Sequence, residues 1–315
     1  MFKIRPLETL PPDFDDCVEE IAEGLSSLYG PMAAMDYRRR ARAVFSSNIV
    51  HEAVLALGAF DGNRVAGILF GLLREPVAEI SFIHVRAGYA GQGVEAQLVR
   101  EAVALMRTCP IENVVAEVTP FSPLELDSVF AALGFERIAR QLMHAPLEAP
   151  GLQVRREWRS VPLEQEDWPE AAACIVDAYQ DHPGQRLHFE VRSQANALDF
   201  LRRVYGGSYG TIEPGYARMI VADGVCAGVI LGCEIAPGAG FVLQLAVVRK
   251  YQGAGLGAAL LRELAHVFRT QSLDKVVLGV TTDNPARRLY ERLGFSLLRP
   301  IEAFVWQRAE ASAAP

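Results

Sequence analysis

The sequence predicts an α/β fold made of two tandem domains, each a mixed β-sheet flanked by helices. Three observations lead there. A chain of 315 residues is longer than one compact domain usually is, so two domains of about 150 residues each are the default. The two halves carry the same short motifs in the same order. Within the second half, strand-like and helix-like segments follow one another in an order that makes a mixed sheet with helices on its faces.

The repeat begins with Pro6-Leu7-Glu8, which recurs as Pro162-Leu163-Glu164, each closing a strand-like segment ahead of an acidic helix holding Cys17 or Cys174. Asp61-Gly62 before Val65-Ala66-Gly67 recurs as Asp223-Gly224 before Cys226-Ala227-Gly228, each reading as a hairpin turn between two apolar strands. The apolar runs Phe82–Val85 and Leu243–Val248 both enter glycine-rich turns and then helices starting near Val94 and Leu256. Leu133-Gly134-Phe135 matches Leu293-Gly294-Phe295. Four ordered matches at separations of 156 to 162 residues argue for duplication. The boundary is expected at Glu148-Ala149-Pro150-Gly151, giving domains 1–150 and 151–315.

In the second half the pattern predicts a strand at 154–160, helices at 167–180 and 191–205, and strands at 217–222 and 225–235. A strand at 240–248 then leads to a helix at 256–270, a strand at 275–281, a helix at 285–293 and a final strand or hairpin. The helix at 256–270 is amphipathic through Leu260, Leu261, Leu264 and Phe268.

Half the residues are apolar and 22% charged, a balance that fills cores and leaves no long disorder-like segment. The longest strongly apolar stretch, Val65–Leu73, is far short of the ~20 residues of a membrane helix, and Met1–Leu10 lacks a signal-peptide core. A cytoplasmic protein without a membrane partner is the expectation. Five cysteines, with no CxxC pair, suggest reduced and mostly buried thiols and no zinc site. A formal charge of −7 lacks the basic excess of a general nucleic-acid binder, so no nucleic-acid partner is expected. Oligomeric state leaves no mark in the sequence.

The segment Gln252-Gly253-Ala254-Gly255-Leu256-Gly257 lies between a strand and an amphipathic helix. Glycines there let backbone N–H groups approach a phosphate, and the positive end of the helix dipole adds to the attraction. A glycine turn alone is also explained by the steric needs of a strand-to-helix connection. Asn284-Pro285-Ala286, Tyr290 and Leu293-Gly294-Phe295 follow after another strand.

With these two segments the second half resembles the GNAT acyltransferases. Gln252–Gly257 fits their pyrophosphate-binding pattern of Gln or Arg, two residues, Gly, any residue, and Gly or Ala; Asn284–Phe295 fits their second cofactor motif. The resemblance implies two GNAT-like domains with splayed sheets and acetyl-CoA as the acyl donor. It implies that backbone N–H groups from Gln252, Gly253, Ala254, Gly255, Leu256, Gly257 and Ala258 cradle the pyrophosphate. Leu245 and Val247 would offer main-chain groups to pantetheine, Asn284 would bind that arm through its amide, and Tyr290 would sit by the thioester sulfur. The implied reaction is direct attack by a primary amine, of a small molecule or a peptide, with Tyr290 protonating the departing thiolate and no metal required. Glu234, Asp181, His182 and, through water, Gln244 are candidate bases.

In the first half Phe130 falls where Tyr290 stands, Leu124 where Asn284 stands, and the turn Ala90-Gly91-Gln92-Gly93-Val94-Glu95 has Glu95 in place of the last glycine. A carboxylate beside a pyrophosphate is repulsive. A degenerate, structural first domain is expected, as in other tandem GNAT proteins; Ala178–Pro183 is loosely similar to the second half of mycothiol synthases among them. Two alternatives remain open: a CoA-binding regulatory or scaffold module, and a transferase of another acyl group.

Overall fold

The computed structural model describes residues 2–118, 124–154, 158–180, 182–210 and 212–308. The first elements are β1 (Lys3–Pro6), α1 (Phe14–Tyr29), α2 (Pro31–Ile49), β2 (Val54–Asp61), β3 (Arg64–Arg74), β4 (Val77–Val85), α3 (Val94–Thr108), β5 (Asn113–Val118), α4 (Leu126–Ala132) and β6 (Glu136–Pro146). There follow β7 (Ser160–Pro162), α5 (Trp168–Tyr179), α6 (Gln194–Tyr205), β8 (Ala217–Ala222), β9 (Val225–Ala236), β10 (Ala239–Val247), α7 (Leu256–Thr270), β11 (Lys275–Thr281), α8 (Arg287–Leu293) and β12 (Ser296–Gln307). The expected strand at 154–160 is observed as β7 at 160–162; residues 155–157 lie outside the described residues. The closing element is one strand rather than a hairpin.

The chain divides into two compact units, Met1–Ala139 with Ile301–Pro315, and Arg140–Pro300. The first has the strand order β1-β2-β3-β4-β5-β12. One face of its sheet is covered by α3, which buries Leu98, Val99, Ala102, Val103 and Met106; α1 and α2 cover the other with Phe14, Ile21 and Phe45. The second has the order β6-β11-β10-β9-β8-β7. Its α7 and α8 pack Leu260, Leu264, Phe268 and Leu293 on one face, while α5 and α6 pack Ile175, Phe200 and Leu201 on the other.

Each unit is completed by a strand from the other sequence half. Glu302–Gln307 of β12 run antiparallel to β5, and Arg140–Pro146 of β6 run antiparallel to β11. The units therefore differ at their ends from the halves read from the motifs. The Pro-Gly segment is also no loose tether. Gly151 lies so close to the Leu293 backbone that an added Cβ would stand 2.6 Å from it, and its carbonyl accepts from Arg262 Nε at 3.0 Å.

The repeat extends to the shape of the sheets. β4 pairs in parallel with β5 only through Ile80, and β10 with β11 only through Val242. The next residue in each case, Ser81 or Leu243, is an extra residue in the ladder to the preceding strand. Such a bulge bends the strand and reverses the facing of the residues beyond it. Val242 thus faces α7 whereas Gln244, two residues on, reaches Tyr179 of α5.

All five cysteines are free, and four are buried. Among the described residues no helix is long and apolar enough to cross a membrane.

Candidate active site

Beyond Val242, β10 keeps β9 as its partner while β11 continues along β6, so the two strands diverge and open a cleft. The N–H of Val248 donates to Ala227 of β9. Because backbone groups alternate sides along a strand, those of Leu245 and Val247 turn to the cleft. In agreement, the Val247 carbonyl accepts from the Gln252 side chain at 3.1 Å rather than from β9.

The turn after β10 holds Gly253 at φ +81° and Gly255 at φ +90°, the latter as the residue preceding α7. These are left-handed conformations that favour glycine, and an added Cβ at either would meet nothing within 4 Å. The turn is thus open to the outside. The N–H groups of Gly253, Gly255, Leu256, Gly257 and Ala258 donate to no acceptor among the described residues. Five amides at a helix N-terminus form an anion cradle. It is held in place by Trp158 Nε1, which donates to the Ala254 carbonyl at 3.0 Å, and by Asp177 Oδ2, which accepts the Arg249 N–H at 2.7 Å.

Across the cleft, Asn284 Oδ1 accepts the N–H of Ala286 at 2.8 Å, shaping the approach to α8, and the Asn284 side chain also hydrogen-bonds His182. Tyr290 of α8 is buried, and its hydroxyl has no hydrogen bond to a described residue. Burial, aided by nearby Tyr179, raises its phenol well above the ordinary range. It stays protonated at neutral pH.

Tyr179 is the hub on the other wall. Its hydroxyl donates to Gln244 Oε1 at 3.4 Å, and its ring stands 5.1 Å from His182 and 5.9 Å from His188, both edge-on. Burial and then the Glu190 carboxylate push Tyr179 up to about 12, against Arg140 and Gln244. Gln244 Nε2 is buried without a described partner. Burial and then His188 hold His182 below its ordinary value, opposed by Asp283 and Asn284.

The structure therefore brings His182, Gln244, Asn284 and Tyr290 together and does not bring Glu234 to them. Glu234 pairs with Gly240, ahead of the divergence. It shares the face on which Gly232 packs against Phe268 of α7, and its charge acts on Tyr216 there. Asp181 lies outside the described residues. Sequence reading missed Trp158, Asp177, Tyr179, His188 and Glu190; of these only Tyr179 lay in a segment with a motif signal.

In the first unit the glycine turn keeps its form, with Gly91 at φ +72° and Gly93 at φ +74°. The side chains around it differ. Glu95 is buried in the first turn of α3, and Leu124 packs on the core. Phe130 is fully buried and stacks on Phe304 with ring centres 4.3 Å apart.

A mixed sheet split at a bulge, with an open row of amides at the start of the helix that follows, defines the class as an acyltransferase fold. The chain belongs to the acetyltransferase (GNAT) family, whose model matches residues 20–135 and 164–295, once in each half. It is 38% identical over 187 residues to a mycothiol acetyltransferase of Corynebacterium aurimucosum, covering 55% of this chain and 58% of that one. The chain spans about half the length of the curated relatives it matches. Two solved structures share the fold over nearly the whole chain. A GCN5-related N-acetyltransferase from Sphaerobacter thermophilus has a TM-score of 0.67 at 17% identity, covering 97% of this chain and 95% of its own. A tandem GNAT protein from the clavulanic acid biosynthesis pathway, without AcCoA, has 0.62 at 19% identity, covering 99% and 100%.

Proposed function

We propose that the Arg140–Pro300 unit is an acetyl-CoA-dependent N-acetyltransferase and that the other unit is a non-catalytic support. The observation that carries this reading is the row of five amides from Gly253 to Ala258, without an acceptor among the described residues, at the start of α7 beside the opening between β10 and β11. Acetyl-CoA supplies an activated acetyl thioester. The amides of Gln252–Ala258 hold its pyrophosphate, the main-chain groups of Leu245 and Val247 line its pantetheine arm, and Asn284 positions that arm. Those strand N–H groups also stabilise negative charge developing on the carbonyl oxygen. Tyr290, kept protonated by burial, donates to the departing sulfur. The acceptor is a primary amine of a small molecule or a peptide, and the acceptor of mycothiol acetyltransferase is the first to test. Glu95, Leu124 and Phe130 support the non-catalytic role of the first unit.

The test is release of free CoA thiol over a panel of amines, together with calorimetric titration by CoA. One equivalent is expected per chain, with binding lost in Gly255→Leu, whose side chain fills the open turn in a strained conformation. Unchanged affinity in that variant, or two equivalent sites, overturns the assignment.

A further inference from the structure

An alkylammonium acceptor must lose a proton before its nitrogen can attack, and the cleft holds two imidazoles that differ in what their nitrogens are doing. His182 Nδ1 accepts the N–H of Gly184 at 2.9 Å, which occupies its lone pair and puts the neutral ring's proton on Nε2, toward Asn284. Neutral His182 has no free lone pair to offer. His188 is the reverse case. Its Nδ1 lies 3.0 Å from Glu190 Oε1. A carboxylate only accepts, so Nδ1 carries the proton and Nε2 keeps its lone pair.

Both side chains are mostly enclosed but keep some exposure, His188 at 26% and Glu190 at 16%. Burial works against the Glu190 charge, but His188, a backbone hydrogen bond and Arg203 outweigh it, and the carboxyl titrates below its ordinary value. The groups facing the His188 ring are Glu190 on its own turn and Tyr179 and His182 from the end of α5; Arg203 of α6 acts on Glu190. Tyr179 stands 5.9 Å from the His188 ring, and its hydroxyl also acts electrostatically on Tyr290.

We infer that His188, oriented by Glu190, is the base that deprotonates the acceptor amine, an inference that rests on the acetyltransferase reading above. His188 Nε2 takes one proton from the ammonium, and the freed nitrogen pair attacks the acetyl carbonyl carbon. The C–N bond forms and the C–S bond breaks. Sulfur takes the Tyr290 proton, and the second proton of the acylated nitrogen restores Tyr290. His188 releases its proton to solvent, so the sum is ammonium plus thioester giving amide, thiol and one proton. His188 is then a catalytic residue and Glu190 a positioning residue.

The test uses the full chain with glucosamine, spermidine and a lysine-containing peptide as acceptors, measuring thiol release from pH 6 to 10. His188→Gln should lose roughly 100-fold or more in kcat/KM at neutral pH, within the usual worth of general-base catalysis, while CoA affinity and Tm hold. That loss should shrink as pH rises and free amine becomes abundant. Glu190→Gln should lose less, and nitrogen NMR should find His188 as the Nδ1–H tautomer in the wild type. Wild-type rates in His188→Gln, a loss equal at every pH, or an Nε2–H tautomer overturns the role of His188 alone. No thiol release by the wild type with any of the three amines overturns the acetyltransferase reading itself.

Discussion

Asp177 accepts the Arg249 N–H through its carboxylate at 2.7 Å, and Glu20 accepts the Ala87 N–H at 2.9 Å at the matching place in the other unit. In both, a carboxylate of the unit's first helix ties that helix to the start of the glycine turn. Removing it in the second unit should loosen the cradle while leaving its amides in place. Asp177→Ala is expected to weaken CoA binding about 10-fold by calorimetry and to destabilise by about 1 kcal/mol, the usual worth of a part-exposed hydrogen bond. Asp177→Asn, which retains an acceptor, should recover most of the affinity. Equal affinity in Asp177→Ala and the wild type shows that the turn holds itself.

Tyr290→Phe should keep CoA affinity and Tm but lose about 10- to 1000-fold in turnover. Since burial raises the phenol, its loss of activity on deprotonation belongs above the ordinary tyrosine range, and the wild-type rate should not fall between pH 7 and 9. Equal kcat in the two proteins, with chemistry rate-limiting, removes Tyr290 from the mechanism.

The Phe130–Phe304 stack joins the α4 core of the first unit to its C-terminal strand. Phe304→Ala should cost about 3 to 5 kcal/mol, the usual penalty for emptying a buried aromatic site. Truncation after Pro300 should go further, leaving β5 with an unpaired edge. Hydrogen exchange is expected to accelerate in β4, β5 and α3 while α7 and β10 stay protected. Uniform protection in the truncated chain speaks against the strand exchange.

Burial, and then the Arg86 guanidinium, lower His84 from 6.5 to about 4, although Glu20 Oε2 stands 3.2 Å from its Nε2. The unfolded chain binds this proton below pH 6.5 and the folded chain only near 4, so the stability due to neutral His84 is intact above 6.5 and lost as pH falls to 4. Up to about 3 kcal/mol is at stake. Urea unfolding from pH 4 to 7.5 should show a flatter pH dependence for His84→Gln than for the wild type; parallel curves exclude this source of acid sensitivity.

Where periodicity and turn chemistry agreed, sequence and structure meet residue for residue. The helix at 256–270 and the strands at 217–222 and 275–281 are such cases, each with an apolar pattern bounded by a turn. The glycine turn was legible because glycine at left-handed positions leaves a direct mark. Two features were not. The exchanged strands β6 and β12 follow the same Leu-Gly-Phe motif and look alike locally, and pairing partners more than 100 residues away leave no local signal. The His188–Glu190 pair sits among 3₁₀ turns between 183 and 191, where no periodicity says which side chains meet. Gln244 owes its place beside Tyr179 to the Leu243 bulge, since simple alternation from Val242 would have put it against α7.

The exchanged strands also order events at the ribosome. Synthesis usually lets the N-terminal domain fold first, but here the segment that closes the first sheet emerges only after the second unit. Residues 140–300, all of the second unit, leave the exit tunnel before β12 can reach β5. The nascent first unit must therefore wait with the β5 edge uncovered until the whole second unit has been made, so its sheet closes only after the residues of its neighbour have emerged.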